Sequence, residues 1–174
     1  MFMDKKSWKE SKAELQRIVL PPDTNVLNGL YGGRLVEWID NLASIVAFKH
    51  ALGPAVTGSI DDLYFVSPIN LGDIVLMQGR INHVTRTTME IEVNVFAEDF
   101  HSGIPRFATE AYLTYVAIDA NRKPKEVPGL LLETEDDRRR FAEGEKRSNL
   151  RKERLKGIRE ESKKFIQCEW ESTS

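Results

Sequence analysis

Apolar residues recur every three or four positions between residues 34 and 51, which predicts one long helix over this stretch. The apolar positions are Leu35, Val36, Ile39, Leu42, Ala43, Val46 and Ala47, and Trp38 and Ile45 widen the stripe. The polar positions form a narrow arc of Arg34, Glu37, Asn41 and Ser44. A helix with so little polar surface is enclosed on most sides by the rest of its fold. The pattern therefore predicts a central helix.

Asp40 lies where the polar arc of this helix meets the apolar stripe, if successive residues turn by about 100°. A carboxylate left unpaired inside a protein costs on the order of several kcal/mol or is forced into its neutral form. Buried carboxylates are therefore often functional. The structural alternative is a hydrogen bond from Asp40 to a neighbouring loop or strand, and the spacing alone does not decide between the two.

Five further stretches have the composition and alternation of β-strands. The first, 13–20, is short and apolar and ends at two prolines, which cannot continue a strand ladder. The others follow the helix and cover 56–65, 73–84, 87–98 and 107–118. Only Thr85 and Arg86 separate the second and third of these later stretches, which predicts a tight hairpin.

The stretch 87–98 has the most regular alternation of apolar and polar residues. Its apolar positions are Thr87, Met89, Ile91, Val93 and Val95, and its polar positions are Thr88, Glu90, Glu92 and Asn94. A strand with this period presents one face to the core and the other to water. Glu90 and Glu92 are therefore expected to be solvated.

The order of these elements predicts an α+β fold in which an antiparallel sheet wraps around one long central helix. After Pro128 the composition changes, because residues 133–165 are highly charged and rich in helix formers. We expect a surface helix there that frays toward its end. The predicted organisation is thus a domain over 8–130 and a charged helical extension over 131–174. Within the extension, acidic residues surround the run of arginines at 138–140, which indicates a solvated helix face.

Composition narrows the class of protein. The 174 residues suit one compact domain, and 25 basic against 27 acidic residues provide no field that would recruit nucleic acid or a membrane surface. The single cysteine, Cys168, cannot form an intrachain disulfide, and no apolar stretch approaches the roughly 20 residues that span a bilayer. We therefore expect a cytoplasmic protein without membrane association. The three histidines are scattered, so no metal site is expected.

Two glycines, Gly32 and Gly33, immediately precede the predicted helix. Without a Cβ atom, they allow another molecule to approach the unpaired N–H groups of the first helical turn, where an oxyanion can be held. The alternative is structural: the glycines only permit a tight turn where helix and sheet pack closely.

The stretch PPDTNVLNGLYGGRLVEWIDNLASIVAFKHA resembles the signature of the hotdog-fold acyl-CoA thioesterases, specifically the cytosolic acyl-CoA hydrolase branch. Further similar stretches follow in the same order and with matching gaps: VTGSIDDLYFVSPINLGDIV, HVTRTTMEIEVNV, ATEAYLTYVAIDANRKPKEVPGL and ETEDDRRRF. Several separated motifs in order are more specific than any one of them. The resemblance covers roughly residues 11–147. Two departures are Thr85, where family members commonly carry glycine, and Gly58 within a predicted strand.

The resemblance implies a hotdog fold and dimers whose active sites lie at the subunit interface. Three such dimers often assemble into a hexamer in this family. The family's catalytic aspartate falls on Asp40 and its catalytic asparagine on Asn25, with the two contributed by different subunits. The resemblance further implies hydrolysis of acyl-CoA thioesters, with Asp40 as general base or nucleophile. The N–H groups at Gly32 and Gly33 would stabilise the oxyanion. A thiolate leaving group, whose pKa as a free thiol is about 8.5, needs no strong general acid. No cofactor is implied, because coenzyme A is part of the substrate and product.

The hairpin residues Arg86, Thr87 and Thr88 match the family's Arg-Thr-Ser stretch and are expected to contact the phosphates of coenzyme A. The alternative is that Arg86 is an exposed turn residue and the threonines are ordinary strand residues. A different function on the same fold is a non-catalytic acyl-CoA sensor, which the presence of both Asn25 and Asp40 argues against. The length of the acyl chain cannot be inferred from the sequence.

Overall fold

The computed structural model describes residues 4–170, with side chains for residues 4–164. The last residues of the predicted extension, 171–174, lie outside the described part, as does the side chain of Cys168. The elements are β1 (Lys6–Ser7), β2 (Ala13–Ile18), α1 (Gly32–Ala51), β3 (Ala55–Ile60), β4 (Ile74–Val84), β5 (Thr88–Glu98), β6 (Pro105–Ala117), β7 (Leu130–Leu131) and α2 (Glu135–Trp170). Two 3-10 turns, Trp8–Glu10 and Pro21–Asp23, flank β2.

The central helix α1 begins at Gly32, two residues before the predicted start, so the glycine pair forms its first turn. It ends at Ala51 because Leu52 adopts a left-handed conformation with φ of 51° and closes the helix. The predicted stripe is confirmed at most positions: the buried side chains include Leu35, Trp38, Ile39, Leu42, Ala43, Val46 and Ala47. All seven lie in the main hydrophobic core. Val36 is only half-buried, and Ile45 is 45% exposed, so the prediction that Ile45 widens the buried stripe is wrong.

The predicted antiparallel sheet is also confirmed. Its five strands lie in the order β2-β4-β5-β6-β3, and α1 packs against all of them. The consecutive strands β4, β5 and β6 form a meander, while β2 and β3 occupy the two edges. The predicted hairpin joins β4 to β5, but β5 starts at Thr88, so the turn has three residues, not two. A separate short parallel pair links β1 to β7.

Strand β3 is shorter than predicted, since it ends at Ile60 and not at residue 65. It carries a β-bulge, because its register with β6 shifts between Thr57 and Ser59. Gly58 is the extra residue, and a Cβ atom there would lie 3.3 Å from the carbonyl oxygen of Thr114. The glycine that departs from the family pattern therefore allows a close approach of the two strands at the bulge.

The second helix changes the environment of β5. Glu90 and Glu92 are only 1% and 2% exposed, so the prediction that they are solvated is wrong. They lie on the face of β5 opposite α1, and α2 covers that face. Arg140 pairs with Glu92 at 2.6 Å, and Arg147 pairs with Glu90 at 2.8 Å. The two carboxylates are buried because arginines from a distant part of the chain replace their water.

The prediction that the arginines at 138–140 lie on a solvated helix face is correct for two of the three. Arg138 and Arg139 are exposed, whereas Arg140 turns toward the sheet. Burial opposes ionisation of Glu92, but hydrogen bonds from Asn82 and pairing with Arg140 outweigh it and lower the pKa of Glu92. The docked part of α2 is thus held by compensated charges. The side chains of residues 152–164 are exposed, so the helix extends beyond the sheet.

Candidate active site

Asp40 is half-buried on α1, and two hydroxyl groups from the sheet hold its carboxylate. The Tyr115 hydroxyl lies 2.7 Å from Oδ1, and the Thr57 hydroxyl donates to the same oxygen at 2.9 Å. The Tyr115 hydroxyl also lies 2.8 Å from the main-chain oxygen of Asp40. Among the described residues, no donor bonds the other carboxylate oxygen, Oδ2. One oxygen of Asp40 is therefore anchored, and the other is available for chemistry.

The two hydroxyls come from paired positions of neighbouring strands, because Thr57 of β3 lies opposite Tyr115 of β6. Tyr115 is 1% exposed, and its burial, followed by its bond to Asp40, raises the pKa of the phenol above its ordinary value. It thus stays protonated and remains a donor. Sequence reasoning missed both residues. The sequence did contain a signal for Tyr115. It lies two positions from both Leu113 and Ala117, so the three side chains share the core face of the strand, where a tyrosine hydroxyl needs a hydrogen-bond partner.

Asn25 lies in the exposed turn that precedes α1. Its side-chain oxygen accepts the N–H groups of Leu27 at 2.9 Å and Gly29 at 3.2 Å, which stabilises the turn. Asn28 in the same turn has a left-handed φ of 58°, a conformation that asparagine tolerates. Because the side-chain oxygen of Asn25 is occupied by the turn, its amide nitrogen is the group that remains to donate to a ligand.

Gly32 and Gly33 occupy the first two positions of α1, where the N–H groups have no partner within the helix. Aromatic rings approach both glycines: an added Cβ atom would lie 3.3 Å from the ring of Phe65 at Gly32 and 2.9 Å from the ring of Tyr31 at Gly33. The glycines therefore meet a packing requirement and also leave two helix N–H donors unbonded. A groove beside them is lined by Asn25, Gly29, Gly32, Leu35, Phe65 and Pro68, among others.

These residues lie in two separate groups within the chain, which we call half-sites. Asp40 lies seven positions after Gly33 on α1, which is about 10 Å along the axis at 1.5 Å per residue. A reacting carbonyl group cannot be within hydrogen-bonding distance of both. The structure brings Asn25 together with Gly32, and it brings Asp40 together with Thr57 and Tyr115, but it does not join the two groups.

The expected coenzyme A contact, Arg86, lies at the exposed tip of the β4–β5 hairpin. Its side chain is 79% exposed and pairs loosely with Glu126 at 3.4 Å. Thr88 closes the turn through a 2.6 Å contact between its hydroxyl and that of Thr85. The φ angle of Thr85 is not positive, so a threonine at this position, where family members commonly carry glycine, does not strain the backbone. The main-chain oxygen of Thr87 accepts the N–H of Ala117.

The histidines of the chain lie outside these half-sites. His50 is fully buried at the end of α1, and its Nε2 atom lies 3.0 Å from the carbonyl oxygen of Pro128. His83 is buried under α2 against Phe141, and His101 stacks on Phe100. In the part of the chain that the structure describes, no group of three or more metal-binding side chains is assembled. No helix in that part is long and apolar enough to cross a membrane.

The central helix enclosed by an antiparallel sheet, with a carboxylate at its border, defines a thioesterase of the hotdog class. A family model described as the thioesterase superfamily matches residues 27–103. A solved hexameric acyl-CoA thioesterase is 37% identical, with a TM-score of 0.84, over 88% of this chain and 98% of that chain. The acyl-CoA hydrolase from Staphylococcus aureus, solved with butyryl coenzyme A and coenzyme A, is 36% identical, with a TM-score of 0.81, over 94% of this chain and 97% of that one.

Two relatives identify the branch. An uncharacterized acyl-CoA thioester hydrolase of Bacillus subtilis is 38% identical over 146 residues, which are 84% of this chain and 85% of that protein. The mouse cytosolic acyl coenzyme A thioester hydrolase is 35% identical over 79% of this chain, a match that spans only 36% of the longer mouse protein. The chain belongs to the acyl-CoA thioester hydrolases, a family of enzymes within the thioesterase superfamily. The expected fold and family are thereby confirmed.

Proposed function

We propose that this protein hydrolyses acyl-CoA thioesters to a free fatty acid and coenzyme A in active sites that two subunits share. The observation that carries the proposal is the carboxylate of Asp40. Two hydroxyls hold its Oδ1 atom, while its Oδ2 atom has no protein donor among the described residues. A carboxylate oriented in this way is suited to activate water or to attack a carbonyl.

The spacing of residues in a relative supports the assignment of Asn25, Asp40 and Thr57. The Staphylococcus aureus hydrolase has been solved with an asparagine, an aspartate or a threonine replaced by alanine. The aspartate follows the asparagine by 15 residues, and the threonine follows the aspartate by 17. Asn25, Asp40 and Thr57 of this chain have the same two intervals. The asparagine variant of that enzyme was solved in complex with coenzyme A.

In the proposed reaction, Oδ2 of Asp40 takes a proton from a water molecule that attacks the thioester carbonyl. Alternatively, Oδ2 attacks that carbon itself and forms an anhydride, which water cleaves after coenzyme A has left, so that the fatty acid is released and the carboxylate is restored. The N–H groups of Gly32 and Gly33 from a second subunit stabilise the oxyanion, aided by the positive end of the helix dipole. The amide nitrogen of Asn25 from that subunit donates to the water or the carbonyl oxygen. The C–S bond then breaks, and coenzyme A leaves as a thiolate, so the reaction needs no cofactor.

Exposed apolar side chains support a dimer. The outward face of α1 carries Ile45 and Phe48, which are both 45% exposed, and Leu52, directly after the helix, is 69% exposed. Strand β3 is an edge of the described sheet and carries exposed Val56 and Ile60. An apolar patch beside an unpaired strand edge is typical of a subunit interface. We infer a homodimer through this surface, and three such dimers in a hexamer, since several relatives of known structure are named hexameric.

We propose that Arg86, with Thr87 and Thr88, binds the phosphates of coenzyme A. The pair between Arg86 and Glu126 is exposed on both sides, so it contributes little and is readily exchanged for a phosphate. A cytoplasmic location is also proposed, in agreement with the mouse relative named cytosolic.

The test of this function is the release of free thiol from a panel of short-chain to long-chain acyl-CoAs. We expect Asp40→Asn to reduce turnover at least about 100-fold and leave the oligomer intact on size-exclusion chromatography, because the amide cannot act as a base. Glu37→Gln, one turn earlier on the exposed side of α1, is the matched control and is expected to keep wild-type rates. Turnover by Asp40→Asn at the wild-type rate would remove Asp40 from the mechanism. Tight acyl-CoA binding by the wild type without thiol release would favour the sensor.

A further inference from the structure

We propose that Tyr115 is a positioning residue for thioester hydrolysis, whose hydroxyl orients the Asp40 carboxylate. The inference rests on the proposed function, because it assigns Tyr115 a role only through Asp40. The spacing that supports Asn25, Asp40 and Thr57 does not include this tyrosine, and the sequence resemblance, although one of its stretches contains Tyr115, implies no role for it.

The contacts of the Tyr115 hydroxyl fix the carboxylate relative to its own backbone. Oη lies 2.7 Å from Oδ1 and 2.8 Å from the main-chain oxygen of Asp40. A carboxylate attached through two rotatable bonds would otherwise change its orientation freely. One group that bridges main chain and side chain restricts both bonds. With Oδ1 held in this way, Oδ2 is also kept in one orientation.

The tyrosine itself is held rigidly. Its side chain is 1% exposed and belongs to the main hydrophobic core. Strand β6 lies between β5 and β3, so Tyr115 is paired on both sides, with Met89 and with Thr57. Thr57, the other donor to Asp40, lies on an edge strand and is exposed in the described chain. Tyr115 is therefore the contact whose position the fold of a single subunit already determines.

The chemistry of the contact makes the Tyr115 hydroxyl the donor, because the oxygens of a carboxylate accept hydrogen bonds. Burial keeps the phenol protonated, so it serves as a donor throughout the working pH range. The groups that reach Asp40 from β3 and β6 are these two hydroxyls. On α1 the nearest ionisable side chain is Glu37, one turn earlier, which is exposed and paired with Arg34 at 2.7 Å.

The test is Tyr115→Phe, which keeps the buried ring and removes only the hydroxyl. We expect kcat to fall by about 10- to 100-fold while KM for acyl-CoA changes less than about twofold, because the lost interaction orients a reacting group and does not bind substrate. Incorporation of 4-aminophenylalanine at position 115 restores a donor at the same place and is expected to recover most of kcat.

The matched control is Tyr112→Phe on the same strand. The ring of Tyr112 lies under Arg147 on the opposite face of the sheet, and its hydroxyl lies 3.4 Å from Glu110. This variant is expected to keep the wild-type kcat and pH profile.

Two results would overturn the inference. One is a Tyr115→Phe enzyme with wild-type kcat. The other is a loss of kcat that accompanies a lower melting temperature and is not rescued by 4-aminophenylalanine, because a purely structural role predicts that combination. Asp40→Asn is measured in parallel. If it retains activity, the proposed function of Asp40 fails. If it is inactive while Tyr115→Phe is normal, only the role of Tyr115 fails.

Discussion

Asp40 is accommodated at the border of a buried helix because two hydroxyls replace part of the water that its carboxylate loses. Both bonds go to Oδ1, from Tyr115 at 2.7 Å and Thr57 at 2.9 Å. Hydrogen bonds to a charged group are stronger than neutral ones, so they offset the cost of partial burial. The same arrangement leaves Oδ2 without a protein donor in the described chain. A structural role and a chemical role therefore coexist in one side chain.

The buried histidine His50 leads to a second prediction at the scale of single residues, which concerns the dependence of stability on pH. Burial lowers the pKa of His50, against a raising effect of its bond to the Pro128 carbonyl, and burial also lowers the pKa of His83. The unfolded chain therefore binds more protons than the folded one below pH 6.5 or so. We expect the urea midpoint of unfolding to be constant above neutral pH and to fall as the pH drops from about 6.5 to 5.5.

The measurement compares the wild type with His50→Gln at a fixed protein concentration, since oligomers unfold in a concentration-dependent way. The variant is expected to be less stable at pH 8 and less sensitive to acid. His101→Gln is the control, because His101 is exposed in a loop. A wild-type midpoint that stays constant down to pH 5.5 would contradict the prediction.

At the scale of elements, α2 is attached to the sheet mainly through charges. Arg140, Arg147 and Arg151 reach Glu92, Glu90 and Asp61 from one helix. Gly144 permits the close approach, since a Cβ atom there would lie 2.6 Å from Cβ of His83. Removing one partner of such a pair leaves the other charge buried without compensation. The attachment of α2 should therefore depend on individual arginines.

We expect Arg140→Met to reduce the free energy of unfolding by about 2 kcal/mol, because Glu92 would lose its cation. This is below the range for a fully buried pair, since Arg140 is 26% exposed and Glu92 keeps bonds from Asn82 and Asn94. Urea denaturation is the measurement. Arg138→Met on the exposed side of α2 is the matched control and is expected to change stability little. Equal effects of the two substitutions would argue against a structural role for the buried pair.

At the scale of the whole molecule, the separation of the half-sites predicts that neither subunit works alone. Asp40 lies about 10 Å along α1 from the N–H group of Gly33 at the start of the helix. Asn25 belongs with the glycines, in the turn that precedes the same helix. A second copy of the chain can supply the missing half if two helices lie side by side at the apolar surface of α1 and β3.

Mixing two inactive variants tests this arrangement. Asp40→Asn and Asn25→Ala are each expected to be inactive, and refolding them together at equal amounts is expected to restore roughly a quarter of the wild-type activity. Half of the random dimers are mixed, and each mixed dimer contains one site with both residues intact. Thiol release measures the recovery, and each variant refolded alone is the control. If both residues act from the same chain, no mixture will recover activity.

The sequence by itself determined the elements and the family of this protein. The three- and four-residue spacing over 34–51 and the strict alternation over 87–98 show which face of each element is apolar, because these periods depend only on residues within the element. The ordered motifs from Pro21 to Phe141 located Asn25, Asp40 and the glycine pair, because those residues occur in a recognisable local context.

Only the tertiary structure decided what surrounds those residues. Tyr115 meets Asp40 across 75 positions of sequence, and Arg140 meets Glu92 across 48. Periodicity reports on neighbours within one element, whereas these contacts depend on how the sheet curls and where α2 crosses it. The alternation of β5 identified a polar face correctly, but a distant helix determined that this face is buried. For the same reason, the distance that separates Asn25 and the glycine pair from Asp40 within one chain follows only from the length of the folded helix α1.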